Sequence, residues 1–174
     1  VLAPVALGEG DVPQGSALAK RRGLLDALAH LDEVGSLLAP AEGDLAAIRE
    51  AIDLTGGDGL FGSSSKEKLQ RALDTCETLA RRHDCVVANP PYMGSSSFGP
   101  FMSRWVKKSY PDVKSDLFSS FVVRMFNLAK DHGECGVMSP FVWMFIGSYE
   151  KLRNEIIDNR TLTSLIQLEY SGFA

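Results

Sequence analysis

The chain has 174 residues, 45% of them hydrophobic and 23% charged, with 18 Lys and Arg against 22 Asp and Glu. That composition is globular and argues against wholesale disorder, and a net charge of −4 excludes a uniformly basic nucleic-acid binder while leaving room for a local basic patch. No apolar run approaches the roughly 18 residues of a membrane span, so no membrane partner is expected.

The start, Val1-Leu2-Ala3-Pro4, has no basic signal region and no initiator Met, which reads as a piece of a longer chain. Cys76, Cys85 and Cys135 are widely spaced, form no CxxC, and do not stand at ligand spacing with His30, His83 or His132. No metal site or disulfide framework is expected; the thiols read as buried or half-buried in a reducing cytoplasm.

Residues 1–88 carry 9 basic and 14 acidic side chains and a single aromatic, Phe61, whereas residues 89–174 carry 9 basic and 8 acidic ones and all the other aromatics. The first part reads as helical. Ser16 is a candidate N-cap for a helix to about Leu38, with Leu24, Leu28, Leu31 and Leu38 on a helical period. Asp44 can cap a helix from Leu45 to Leu54. Thr55 to Ser65 is a Gly/Ser loop, and Leu69, Leu73, Cys76 and Ala80 place a third amphipathic helix from Ser65 to Arg82.

Near residue 84 the period changes. Cys85 to Ala88 is a short apolar run that suits a buried parallel strand. Pro100 to Tyr110 reads as a helix. Ser115 can cap a helix from Asp116 to Asp131 with Leu117, Phe121, Met125 and Leu128 inward. Gly136 to Phe141 is a second buried strand, Ser148 to Asn159 a helix with Leu152, Ile156 and Ile157 inward, and Leu162 to Leu168 a third strand. Trp143, Met144 and Phe145 are expected to pack against the adjacent helix. Strand and helix in alternation point to an α/β parallel sheet with crossover helices.

The chemical signal is Asn89-Pro90-Pro91-Tyr92 at the end of the first strand. Ligands of open α/β sheets sit at the carboxyl ends of the strands. Two prolines stiffen that turn and remove two N–H donors. The Asn89 side-chain oxygen and the Pro90 carbonyl then suit the two hydrogens of a ring-conjugated amino group, and accepting both frees the nitrogen lone pair for attack. Tyr92 supplies a flat face for stacking. The alternative is a rigid structural turn.

Asn-Pro-Pro-Tyr after an apolar strand resembles the catalytic motif of the S-adenosylmethionine-dependent amino-methyltransferases, chiefly the N6-adenine DNA methyltransferases. The resemblance continues through Tyr92-Met93-Gly94-Ser95, Tyr110-Pro111-Asp112-Val113-Lys114-Ser115-Asp116-Leu117-Phe118, Ser148-Tyr149-Glu150-Lys151-Leu152-Arg153 and Leu168-Glu169-Tyr170-Ser171-Gly172-Phe173. These segments are similar to the adenine methyltransferases of BREX (phage-growth-limitation) defence systems, well over 84–174 and weakly over 1–83. The same motif also serves protein-glutamine methyltransferases, and a close variant serves some rRNA guanine methyltransferases. A non-catalytic scaffold or DNA-binding role is a further alternative.

The resemblance implies methyl transfer from S-adenosylmethionine to N6 of an adenine flipped from double-stranded DNA, in restriction-modification or phage defence, with other defence proteins as possible partners. It implies that Asn89 and Pro90 hold N6, Pro91 fixes the turn and Tyr92 stacks on the base. On the cofactor side it implies Asn89, Asp116, Leu117 and Phe121. Asp116 also reads as a helix-start carboxylate, and Phe121 as core. Between the motifs, Gly94 to Gly99 reads as a loop able to close over a base. Arg104, Lys107, Lys108 and Lys114, with Trp105 and Tyr110 interleaved, can contact DNA phosphates or form a solvated face.

The Gly-rich loop that such enzymes place after a strand to hold the donor is not evident. Asp53 to Gly59 follows a helical pattern, and Gly56 lies only 33 residues before Asn89. Residues 84–174 therefore read as the catalytic-side part of a Rossmann-like methyltransferase core. Residues 1–83 read as a helical insertion or connection. The chain is expected to be cut at both ends and inactive by itself.

Overall fold

The computed structural model describes residues 3–8, 10–55 and 60–167. The chain forms two compact units, Val1–His83 and Asp84–Ala174. No helix among the described residues is long and apolar enough to cross a membrane.

The first unit is helical: α1 (Arg22–Ala29), α2 (Leu31–Val34), α3 (Glu42–Leu54) and α4 (Leu60–Ala80). The single helix expected from Ser16 to Leu38 is broken into pieces. His30 leaves helical geometry at φ −120°, and Gly35 takes φ +49°, a left-handed value that glycine tolerates. Ser16 is not the N-cap: Ala17 holds that place on the short 3-10 turn Leu18–Lys20, and the Ser16 Oγ accepts the Ala19 N–H at 3.3 Å. Helix α3 starts earlier than expected, with Ala41 at the N-cap. Asp44 sits inside the first turn and reaches back to accept the Ala41 N–H at 2.9 Å. Helix α4 also starts earlier, at Leu60, so it takes half of the expected loop; residues 56–59 lie outside the described residues.

Helices α3 and α4 pack on each other over Ile48, Ala51, Leu69, Ala72 and Cys76, all at most 0% exposed. Burial, and then the charge of Asp44, push the Cys76 thiol up to about 12, so it is an inert core thiol. Arg49 donates to Glu77 at 2.8 Å across the pair. The N-terminal segment is tied down at Asp11, which accepts from Lys68, Ser65 and the Gly8 N–H, each at 2.8 Å.

The second unit contains β1 (His83–Ala88), α5 (Pro100–Ser109), α6 (Leu117–Leu128), β2 (Ala129–Val137) and α7 (Glu150–Asn159). β1 and β2 pair side by side. The pairing is parallel: Lys130 bonds Asp84 at the start of both strands, and Met138 donates to the Ala88 carbonyl at 3.0 Å at the end of both. Helices α5 and α6 make the crossover that parallel pairing requires.

Three expectations are corrected here. Helix α6 stops at Leu128 and the second strand spans Ala129–Val137, earlier than Gly136 to Phe141, because Ala129 already has extended geometry (φ −77°, ψ 142°). The strands are not buried: Val87 is 77% and Val137 41% exposed, as no second layer covers them among the described residues. Residues 161–167 are exposed and belong to no strand; extended backbone becomes a strand only when a neighbour pairs with it, and Leu168 lies outside the described residues. Among the smaller differences, Ile157 is 74% and Phe145 72% exposed rather than packed. Cys85 and Cys135 are exposed.

Candidate active site

Asn89 directly follows β1, so it leaves the carboxyl end of the sheet. Pro90 is buried, whereas Asn89, Pro91 and Tyr92 are exposed. The turn is not a free loop. Gly94 forms an antiparallel bridge with Asp116, Leu117 donates to the Met93 carbonyl at 2.9 Å, and Ser95 donates to the Ser115 carbonyl at 3.0 Å. Met93 to Ser95 is thereby zipped to the start of α6.

Asp116 is the N-cap of α6: its Oδ1 accepts the Phe118 N–H at 3.2 Å. The expected cap, Ser115, instead supplies a carbonyl to the zipper. A Cβ at Gly94 would lie 3.9 Å from Asp116 Oδ2, so the two segments pass in ordinary van der Waals contact.

The Tyr92 hydroxyl approaches Asn89 Oδ1 at 3.4 Å, longer than a strong O–H···O bond, so the amide oxygen keeps most of its accepting capacity. The Tyr92 ring stands edge-on to Phe118, centroids 6.4 Å apart and planes at 88°. Phe118 in turn meets Tyr149 at 5.4 Å. Phe118 is 0% and Tyr149 7% exposed, while Tyr92 is 53% exposed. A buried aromatic pair thus backs a half-open ring. Burial, and then the Asp116 charge, raise the Tyr149 hydroxyl above its ordinary range, so it stays protonated.

Phe118 and Tyr149 were not singled out from the sequence, although both stand in the segments that carry the family resemblance. The inward stripe placed Phe121 there instead. Phe121 is half-buried, whereas Leu117, Phe118, Val122 and Met125 are buried, so the core face of α6 is broader than the stripe and turned toward Phe118.

Ser119 and Ser120 are buried as well. The Ser119 hydroxyl lies 2.7 Å from both the Val113 and Asp116 carbonyls, which pins α6 to the loop before it. Arg104, Lys107, Lys108 and Lys114 are all exposed. Arg104, Lys107 and Lys108 share one face of α5 at i, i+3 and i+4 spacing. Asp112, the one acid between Arg104 and Lys114, is paired with Lys151 of α7. Tyr110 is not available beside them. It is 6% exposed and rests on Trp105 at 5.8 Å; burial raises its hydroxyl to about 12 despite the opposing charge of buried Arg124.

Residues 45–173 match the Eco57I restriction-modification methylase family. The chain belongs to that family. The match reaches back through α3 and α4, so it includes much of the helical unit. Among curated relatives, the adenine-specific methyltransferase BrxX of Escherichia coli O9:H4 (strain HS) is 33% identical over 144 residues, 80% of this chain and 12% of that protein. The adenine-specific methyltransferase PglX of Lacticaseibacillus casei (strain Zhang) is 34% identical over 89 residues, 51% of this chain and 7% of that protein. The chain therefore spans a small part of the length of the relatives it matches.

A methylase of this family needs a methyl donor. The residues at the Asn89 turn fit the reactive end of such a donor: an exposed carboxamide on Asn89 and a half-buried carboxylate on Asp116 with one oxygen committed to the cap. Neither β1 nor β2 is followed by a glycine-rich turn; the segments are Asn89-Pro90-Pro91-Tyr92 and Met138-Ser139-Pro140-Phe141. The fit is to that end alone. No group of His, Cys, Asp and Glu able to hold a metal ion occurs among the described residues.

Proposed function

We propose that the full-length protein is an N6-adenine DNA methyltransferase of phage defence, transferring a methyl group from S-adenosylmethionine to a flipped adenine. The observation that carries this reading is an Asn-Pro-Pro-Tyr turn at the carboxyl end of a parallel strand, in a chain of a methylase family whose named relatives are adenine-specific. Residues 84–174 would then be the catalytic-side part of a Rossmann-like core, and residues 1–83 a helical insertion leading into its catalytic strand.

On this reading the Asn89 Oδ1 and the Pro90 carbonyl accept the two hydrogens of the adenine amino group. The nitrogen lone pair is then withdrawn from the ring and directed at the electrophile. Tyr92 stacks on the extruded base, held by Phe118 behind it. Pro91 fixes the turn. Asn89, Asp116, Leu117 and Phe121 border the donor, which when bound supplies a methyl group activated on a sulfonium. Arg104, Lys107, Lys108 and Lys114 contact phosphates of double-stranded DNA. The location is cytoplasmic, where the DNA is, and other defence proteins are the candidate partners.

The test is Asn89→Ala and Tyr92→Ala in the full-length protein. Both side chains are exposed, so the fold should persist while methylation of adenine-containing DNA falls by 100-fold or more, on the order of 3 kcal/mol of transition-state stabilisation. Wild-type methylation by either variant at equal protein level would overturn the assignment. Parallel assays on protein and RNA acceptors settle the substrate class.

A further inference from the structure

The turn after β2 presents an aromatic surface beside the Asn89 turn that the reading above does not use. Met138 bonds to Ala88, so the two strands leave the sheet together, and Ser139 to Ile146 emerges at the same end as Asn89 to Tyr92. Phe141 is 47% and Phe145 72% exposed, and their rings meet at 6.3 Å with planes at 69°.

This turn is rigidly built. Phe145 and Ile146 both donate to the Val142 carbonyl, at 3.1 and 3.0 Å, and Tyr149 donates to the Ile146 carbonyl at 3.1 Å. Arg153 of α7 adds a clamp, its Nη1 lying 2.7 Å from both the Trp143 and the Ile146 carbonyls. Tyr149, bonded to the end of this turn through its N–H, meets Phe118, which in turn meets Tyr92.

We propose that Phe145, with Phe141 beside it, stacks on a nucleobase flanking the reacting adenine, and that Arg153 is the positioning residue that holds the two rings in place. The proposal rests on the function proposed above. Extruding one base uncovers the faces of its neighbours, at the end of the sheet where these rings stand, and an aromatic ring covers such a face regardless of sequence. The turn offers ring faces rather than hydrogen-bonding edges, because Arg153 already occupies the carbonyls of Trp143 and Ile146. The exposed aliphatic residues Ile157, Leu162, Leu165 and Ile166 belong to α7 and to the segment after it, not to this turn.

The experiment uses the full-length protein with S-adenosylmethionine and a random-sequence duplex carrying 5-iodouracil, cross-linked by light and mapped by mass spectrometry. Adducts are expected at Phe145 or Phe141. Phe145→Ala should weaken DNA binding about ten-fold or more, Phe145→Trp should retain it, and S-adenosylmethionine binding should not change in either. Arg153→Ala should raise the KM for DNA more than it lowers kcat. Its effect should largely vanish in the Phe145→Ala background, a coupling that general loss of stability would not produce.

Unchanged DNA binding by Phe145→Ala, with adducts confined to the Tyr92 turn and α5, overturns the proposal and leaves the methyltransferase reading intact. Phe145→Leu matching Phe145→Trp in DNA affinity also overturns it, since that outcome marks an apolar contact with protein. A wild-type protein that neither methylates nor cross-links to DNA overturns both readings.

Discussion

Tyr92 stands edge-on to Phe118, so the exposed ring of the Asn-Pro-Pro-Tyr turn is held by a side chain at the start of α6. The contact crosses the hydrogen-bonded zipper between Met93–Ser95 and Ser115–Leu117. The orientation of the motif is therefore a property of the helix as much as of the two prolines.

Phe118 should consequently couple stability and activity. Phe118→Ala empties a fully buried site and is expected to cost about 3–5 kcal/mol, read by denaturant unfolding. Phe118→Leu keeps an apolar side chain in the site but loses some volume and the ring edge. It should cost about 1 kcal/mol, yet depress methylation by the full-length protein several-fold through a looser Tyr92. Methylation that follows stability alone across the two variants would show that the ring edge has no role.

Ser119 offers a second test of the same junction. Its hydroxyl, with one hydrogen to donate, lies within bonding reach of two carbonyls while 0% exposed. Ser119→Ala leaves buried acceptors short of a donor, and should destabilise by roughly 1–2 kcal/mol. Hydrogen exchange should locate the effect at 113–118, with the first unit unchanged.

Gly94 makes the opposite prediction. It has extended geometry (φ −68°, ψ 154°) and room for a methyl group. Gly94→Ala should therefore change the unfolding free energy by no more than about 1 kcal/mol, in the stabilising direction. A large loss of stability would mean that the backbone there needs a conformation other than the one described.

The four exposed cations give a salt-dependent readout. Lys107→Ala with Lys108→Ala should weaken binding to double-stranded DNA across all sequences. It should also lower the slope of log affinity against log salt by about 0.9 for each phosphate contact removed. An unchanged slope would assign these residues to a solvated helix face.

In the first unit, Asp11 predicts a pH dependence. Burial raises its pKa, but bonds from Lys68, the Gly8 N–H and Ser65 outweigh that, so the net shift is downward from 3.8. A lowered carboxyl pKa adds stability that is fully present above the unfolded value and is lost as the pH falls through the folded one. The thermal midpoint of wild type should exceed that of Asp11→Asn at pH 6, and the gap should close as the pH drops below about 3.8. A gap that persists unchanged at pH 2 would show that the carboxylate charge is not what ties the N-terminal segment to α4.

The turn after the first strand was legible from four adjacent residues, because a motif of consecutive residues carries its own local geometry. The helices were legible as apolar periods, and the change of period near residue 84 marked where strands begin. The backing of Tyr92 was not legible: Phe118 and Tyr149 are 31 residues apart in the chain and meet only when the loop and α6 fold together. The helical stripe pointed to Phe121 because it assumes one buried face, and α6 is covered on more than one.

Local chemistry therefore determined the rigid turn after the first strand, the approximate places of most helices and which stretch is basic. Tertiary structure alone decided that Asp112 pairs with Lys151 and that Tyr110 is core. It also decided that residues 162–167 form no strand and that Phe141 and Phe145 face outward. Each of these depends on which distant groups meet, and burial, pairing and strand formation are set by neighbours in space rather than by the residues themselves.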